Sequence, residues 1–120
     1  MRYLGQTHRS APTRQLNLDR ALEAIDKVEH YVAGMSFEDF IADDKTVDAV
    51  VRNFEIIGEA ARQIPKTFKE TSPDIPWRDI ADFRNVLIHE YFGVDLHTLW
   101  QIIEMNLGEL KNQLRDLGTA

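Results

Sequence analysis

Apolar residues return every three or four positions along almost the whole chain, and nowhere do they alternate one by one between turn signals. That period is helical, and it predicts an all-α fold. It begins at Leu16. Leu18, Leu22, Ile25, Val28 and Val32 form one stripe, while Asp19, Glu23, Asp26, Lys27 and Glu29 fill the other faces and Gly34 ends the helix. Ser36, with Asp39 three residues on, resembles a capping box and should open a short helix over residues 37–41. A second long helix is expected over residues 44–64. There Val47, Val50, Val51, Phe54, Ile57, Ala61 and Ile64 give a wide apolar stripe that Pro65 terminates.

Residues 66–75 read as a polar connection. Pro76 fits the first turn of a third helix from Trp77 to about Phe92, because a first-turn residue needs no N–H donor. Ile80, Phe83, Leu87 and Val86 are its inward candidates, and Gly93 is placed to close it in a left-handed turn. Asp95 should cap a last helix carrying Leu96, Leu99, Ile102, Ile103, Leu107, Leu110 and Leu114. The expected architecture is an up-and-down bundle of four main helices plus a short one, forming a single domain over residues 16–120. Residues 1–15 contain Gly5, Ser10 and Pro12 without an apolar period, and read as a flexible arm.

Composition narrows the chemistry. A chain of 120 residues suffices for one domain. The absence of cysteine excludes disulfides, thiolate zinc sites and a cysteine nucleophile, and is compatible with a reducing cytoplasm. No apolar run approaches the ~18 residues of a membrane span. Fourteen basic residues against twenty acidic ones leave a net charge of -6. That argues against coating duplex DNA by counterion release, but allows a small basic pocket in an acidic surface. His8, His30, His89 and His97 show no metalloenzyme spacing. Glu55 and Glu59 share a helix face and read as solvated surface, and no glycine-rich phosphate loop is present. Neither a metal nor a cofactor is expected.

One segment, residues 82–93, concentrates polar chemistry on a helix. Arg84 and Tyr91 are seven apart, about 700° of rotation, and so share a face. Asn85 and His89, four apart, stack beside them at an offset of about 100°. Spacing alone leaves two readings open. In one, His89 is buried at a helix end, the Tyr91 hydroxyl is satisfied in packing, and Arg84 pairs with Asp82 or Glu90. In the other, the four side chains form a reactive band.

Arg84-x4-His89-x-Tyr91, in the context Arg-Asn-Val-Leu-Ile-His-Glu-Tyr-Phe-Gly-Val-Asp95, resembles the Arg-x4-His-x-Tyr motif of HepT-like toxins in the HEPN superfamily of small helical domains. Arg52-Asn53-Phe-Glu-Ile-Ile-Gly58-Glu59-Ala-Ala is similar to that family's second-helix signature, and Ile75-Pro76-Trp77-Arg78 to its approach to the third helix. Ser36-Phe37-Glu-Asp-Phe40 and Trp100 fit as well, so the resemblance spans about residues 18–114. The basic N-terminal arm is a departure from it.

The resemblance implies a metal-independent endoribonuclease, the toxin of a type VII-like toxin–antitoxin module in the cytoplasm. Arg84 and His89 would be catalytic, with Asn85 supporting them. The implied antitoxin is a minimal nucleotidyltransferase that adds AMP to Tyr91 and silences the toxin. The implied assembly is a homodimer, extended to a higher hetero-oligomer with the antitoxin and without contact with a membrane. One motif offers a single histidine, whereas RNA cleavage wants both an acid and a base, which accords with a dimer. Trp77, Tyr91, Phe92 and Trp100 are candidate interface aromatics, unless the tryptophans belong to the monomer core.

The chemistry of the side chains agrees with these roles. Imidazole moves protons near neutral pH, and a guanidinium presents a fixed donor fork to phosphate. Asn85 could orient His89 or bond a phosphate oxygen. The competing reading is a non-catalytic helical module that binds a nucleotidyltransferase partner or a nucleotide. The intact Arg84-x4-His89 favours the enzyme, and the acidic charge slightly favours the module.

Overall fold

The computed structural model describes residues 10–89 and 95–119, with the side chains of residues 10–13, 89 and 119 outside the description. Among the described residues there are only helices and their connections: α1 (Ser10–Val32), α2 (Phe37–Ala42), α3 (Asp44–Gln63), α4 (Lys66–Lys69), α5 (Trp77–His89), α6 (Leu96–Met105) and α7 (Leu107–Thr119). The all-α expectation holds. No described helix is long and apolar enough to cross a membrane.

The core follows the apolar stripes. Leu18, Ile25 and Val28 of α1 pack with Val50, Phe54 and Ile57 of α3, and Leu87, Leu99, Leu107 and Leu114 close the cluster from the other helices. Ala21 and Ala24 on α1 and Ala60 and Ala61 on α3 are buried too, and such small side chains let paired helices approach closely. Accordingly α1 and α3 form the most extensive helix pair, and α5 packs on α3.

Caps fix the short elements. Ser36 Oγ accepts from Asp39 N at 3.1 Å while Asp39 returns the bond to Ser36 N at 3.1 Å, the reciprocal box that the spacing predicts. Asp43 caps α3 through Thr46 N, and Asp95 caps α6 through His97 N. The buried Phe40 holds α2 against the core, where it meets Trp100 at 5.1 Å between ring centroids.

Four expectations are corrected. Helix α1 begins at Ser10, so residues 10–15 of the expected arm are helical, and the domain boundary at residue 16 does not coincide with a structural one. Pro12 lies within the first turn, where its missing donor costs nothing, and the Arg14 guanidinium sits 4.1 Å from the Phe68 ring centroid. Residues 1–9 lie outside the described residues. Residues 66–69 of the expected polar connection form the single turn α4. The last helix is divided at Asn106, whose φ of -117° departs from helical values although its N–H still reaches Ile102 O. Asn and Gly are weak helix formers, and Asn106 and Gly108 flank Leu107 at the break. Finally, Val86 is 40% exposed and faces outward. The closing turn expected at Gly93 lies outside the described residues.

The C-terminal helix is tied back by Lys111, whose ammonium lies 2.8 Å from both Asp26 and Glu29 on α1. These two hydrogen bonds hold its pKa above the ordinary 10.5. A raised folded-state value means the clamp contributes fully below about pH 10.5 and fades as the pH climbs through the folded value. Lys111→Met should therefore flatten the alkaline limb of a stability-against-pH curve measured by urea unfolding. On the same assay, Phe40→Ala should cost about 3–5 kcal/mol and Ser36→Ala about 1 kcal/mol.

Candidate active site

The site is built where α5 crosses α3. Gly58, midway along α3, has no side chain, and a Cβ placed there would lie 2.3 Å from Arg84 Cβ and 3.0 Å from its Cγ. An isolated glycine inside a helix costs about 1 kcal/mol relative to alanine, so it calls for a packing reason. The reason here is Arg84, whose aliphatic stem lies against the α3 backbone. Phe83, one residue earlier, meets Phe54 of α3 edge-on at 5.7 Å and fixes the same crossing from its apolar side. Asn53, buried on α3, is satisfied internally by donating to Ala49 O at 2.8 Å.

With its stem so placed, the Arg84 guanidinium reaches Glu59. Nη2 donates to Glu59 Oε1 at 2.9 Å, with side-chain exposures of 22% and 29%. Arg84 thus pairs across the crossing with Glu59, which is half-buried rather than plain solvated surface; Glu90, one of the partners that the first reading of the sequence offered, lies outside the described residues. Glu55, by contrast, pairs with Arg52 one turn away, as a surface carboxylate would. Arg84 Nη1 also donates to Asn85 Oδ1 at 3.3 Å. Asn85 thus meets the arginine. The His89 side chain, which Asn85 was also expected to orient, is outside the described residues, and so is Tyr91. His89 is the last residue of α5.

Arg84 Nε is buried and finds no acceptor among the described residues. A buried donor left unpaired costs about 1–3 kcal/mol, so the guanidinium is held in a conformation that does not maximise its own hydrogen bonds. Glu59 is the more fully engaged partner. Its Oε2 accepts from Gln63 at 2.9 Å and from Arg62 Nη2 at 3.0 Å. The hydrogen bonds from Gln63 and Arg62, followed by the charges of Arg62 and Arg84, keep the carboxyl below its ordinary 4.5 despite partial burial.

A cleft of about 430 Å³ lies elsewhere, between α3, α5, α6 and α7. It is lined by Phe54, Ile57, Ile80, Phe83, Ile102 and Leu107, with the exposed Asp74, Asp79 and Glu109 among its polar groups. Apolar walls with carboxylates suit no phosphate, and Arg84 takes no part in it. Trp77 and Trp100 both pack against the monomer's own core. The apolar surface that α5 leaves open comes instead from Val86 and Ile88, 40% and 43% exposed.

Sequence reasoning singled out Arg84 and Asn85, which the structure brings together; it noted Gly58 and Glu59 only within the second-helix signature and as solvated surface, and gave neither a role at the site. The signal available was the helix-interior glycine followed at once by a carboxylate.

Alanine at position 58 tests the crossing. It gains about 1 kcal/mol of helix propensity, but overpacking typically costs about 1–3 kcal/mol. The overpacking should win, because Arg84 Cβ is anchored to the α5 backbone and cannot swing aside. Gly58→Ala should therefore unfold at lower urea than wild type. Glu59 gives a pH signature of the opposite sign to Lys111. Its lowered pKa contributes stability above about pH 4.5 that is lost as the pH falls through the folded value. Glu59→Gln should be less stable at neutral pH yet lose less on acidification, read from urea curves between about pH 5 and 3.

A family model described as ribonuclease HepT-like matches residues 21–117. A protein of Thermococcus cleftensis named as a probable ribonuclease HepT is 45% identical over 100 residues, covering 83% of this chain and 91% of its own. A provisionally named RNase of Caldanaerobacter subterraneus is 41% identical over 100 residues, 83% of this chain and 89% of its own. Another provisionally named RNase, from Methanocaldococcus jannaschii, is 38% identical over 96 residues, 80% of this chain and 79% of its own. No solved structure matches the chain.

Proposed function

The chain belongs to the ribonuclease HepT-like family, and on that premise we propose that it is an RNA-cleaving toxin of a toxin–antitoxin module, a metal-independent endoribonuclease in which Arg84 and His89 carry the chemistry. The observation that carries this reading is the placement of Arg84, stem seated on Gly58 and guanidinium partly open at the α3–α5 crossing. A surface salt bridge needs no such seat.

In the proposed reaction the ribose 2′-oxygen attacks the adjacent phosphorus while its proton passes to a base. The phosphorus–5′-oxygen bond then breaks, and the departing oxygen takes a proton from an acid. The products are a 2′,3′-cyclic phosphate and a 5′-hydroxyl. His89 moves one of these protons, a contribution of about 10²–10⁴-fold in rate, and its copy in a second chain moves the other. Arg84 donates to the non-bridging phosphate oxygens as their charge grows, with Asn85 holding one edge of its fork. Pairing two motifs requires a homodimer, and the exposed Val86 and Ile88 on α5 support contact along this helix in place of the tryptophans.

Control would come from a minimal nucleotidyltransferase antitoxin that transfers AMP to the Tyr91 hydroxyl, assembling with the toxin in a hetero-oligomer in the cytoplasm. On the seven-residue spacing of Arg84 and Tyr91 read from the sequence, the transferred phosphodiester would carry its negative charge toward Arg84 and occupy the place of an RNA phosphate.

Induced expression with RNA cleavage assayed in parallel tests the proposal. Wild type should cleave RNA in the presence of EDTA and arrest growth, whereas His89→Ala and Arg84→Ala should each lose at least about 10²-fold of cleavage while remaining folded. Tyr91→Phe should cleave like wild type but escape silencing by the nucleotidyltransferase and ATP. Wild-type cleavage by His89→Ala would overturn the proposal in favour of a non-catalytic module.

A further inference from the structure

Glu59 has no part in the chemistry described so far, yet it is the residue to which the Arg84 guanidinium is tied. We infer that Glu59 is the positioning residue for Arg84, holding the guanidinium so that its remaining Nη–H groups meet the RNA phosphate already aligned. The inference rests on the assignment of Arg84 to that phosphate made above.

Three observations converge on it. A long arginine side chain samples many rotamers, and a phosphate contact made by a mobile fork forfeits that freedom at the moment of reaction. Here the freedom is removed beforehand at both ends: Gly58 seats the stem, and Glu59 Oε1 takes one Nη2 hydrogen at 2.9 Å. Glu59 is in turn held by Gln63 at 2.9 Å and by Arg62 at 3.0 Å, both on its own helix, so the anchor cannot follow the guanidinium outward. The geometry is also not that of a pair optimised for its own strength. A bidentate pairing would use Nε and Nη2 on the two carboxylate oxygens. Instead Nε is left without an acceptor, and Oε2 is given to Arg62 and Gln63. Of the five N–H hydrogens, one goes to Glu59, one to Asn85 and one lies on the buried Nε; the two others, on the outer nitrogens, meet no acceptor among the described residues and can serve a ligand.

The opposite role is chemically conceivable, since a carboxylate beside a phosphate-binding arginine can compete with the phosphate. The two roles differ in sign. A positioning carboxylate speeds the reaction and a competing one slows it.

Single-turnover cleavage of an RNA substrate by the full-length chain separates them, using wild type, Glu59→Ala, Glu59→Gln, Arg84→Ala and the double variant Glu59→Ala/Arg84→Ala. The Glu59→Ala rate should fall on the order of 10–100-fold, the scale of a misplaced contact group. Glu59→Gln, which keeps an acceptor for Nη2, should recover part of that loss. In the Arg84→Ala background, removing Glu59 should cost nothing further, because Glu59 acts only through the arginine. A purely structural Glu59 would slow both backgrounds equally, and that result would overturn the inference. Faster cleavage by Glu59→Ala would overturn it too, making Glu59 a competitor. If Arg84→Ala cleaves as wild type does, the assignment of Arg84 fails and the inference with it. If Arg84→Ala is impaired while Glu59→Ala is not, the assignment stands and the inference alone falls.

Discussion

Helix α5 meets α3 where Gly58 faces the Arg84 stem with no room for a side chain between them, and the placement of Arg84 depends on that contact. A side chain of any size at position 58 would hold the helices apart by roughly its own radius. The consequences would reach Phe83 against Phe54, Leu87 in the core, and the ion pair with Glu59. One missing methyl group therefore sets both the packing of the bundle and the reach of the half-buried Arg84. The same backbone permissiveness that weakens α3 as a helix is what lets it act as a bearing surface.

An acidic chain of a ribonuclease family faces an electrostatic conflict. With a net charge of -6, the long-range field repels a polyanion. At the crossing, Arg62 and Arg84 share the carboxylate of Glu59. The carboxylates of Asp74, Asp79 and Glu109 lie on the separate apolar cleft. On the proposed function, discrimination would shift from encounter to contact, with little gained from the overall field.

The bundle was legible from the sequence because its signals are local. Ser36 and Asp39 cap α2 through bonds spanning three residues, and the stripes of α1 and α3 repeat often enough to show their buried faces, though the small Ala21, Ala24 and Ala60 of those faces carried no signal. The failures are non-local or too short to repeat. A four-residue turn such as α4 has no room for a period. The break at Asn106 interrupts an apolar stripe that continues in phase on both sides. The partner of Arg84 could not be read from its own helix, where Asp82 and Glu90 are nearer in sequence, because the crossing that brings Glu59 to it is a product of tertiary packing. Val86 was ambiguous for a related reason: it borders the buried stripe of α5, and only the packing of neighbours decides which side of the border is covered.

The division at Asn106 has a bearing on how such a chain can change length over generations. Helix α6 contacts α2, while α7 contacts α1 and is clamped to it by Lys111, so each half takes its rotational phase from a different neighbour. Were the two halves one unbroken rod, an extra codon would turn everything beyond it by about 100° and lift Leu107 and Leu114 out of the core. The turn at Asn106, where φ widens to -117° next to the exposed Met105, is the point at which such a rotation can be absorbed. The C-terminal half of this fold is thus a place where insertions and deletions can be tolerated, leaving the α3–α5 crossing undisturbed.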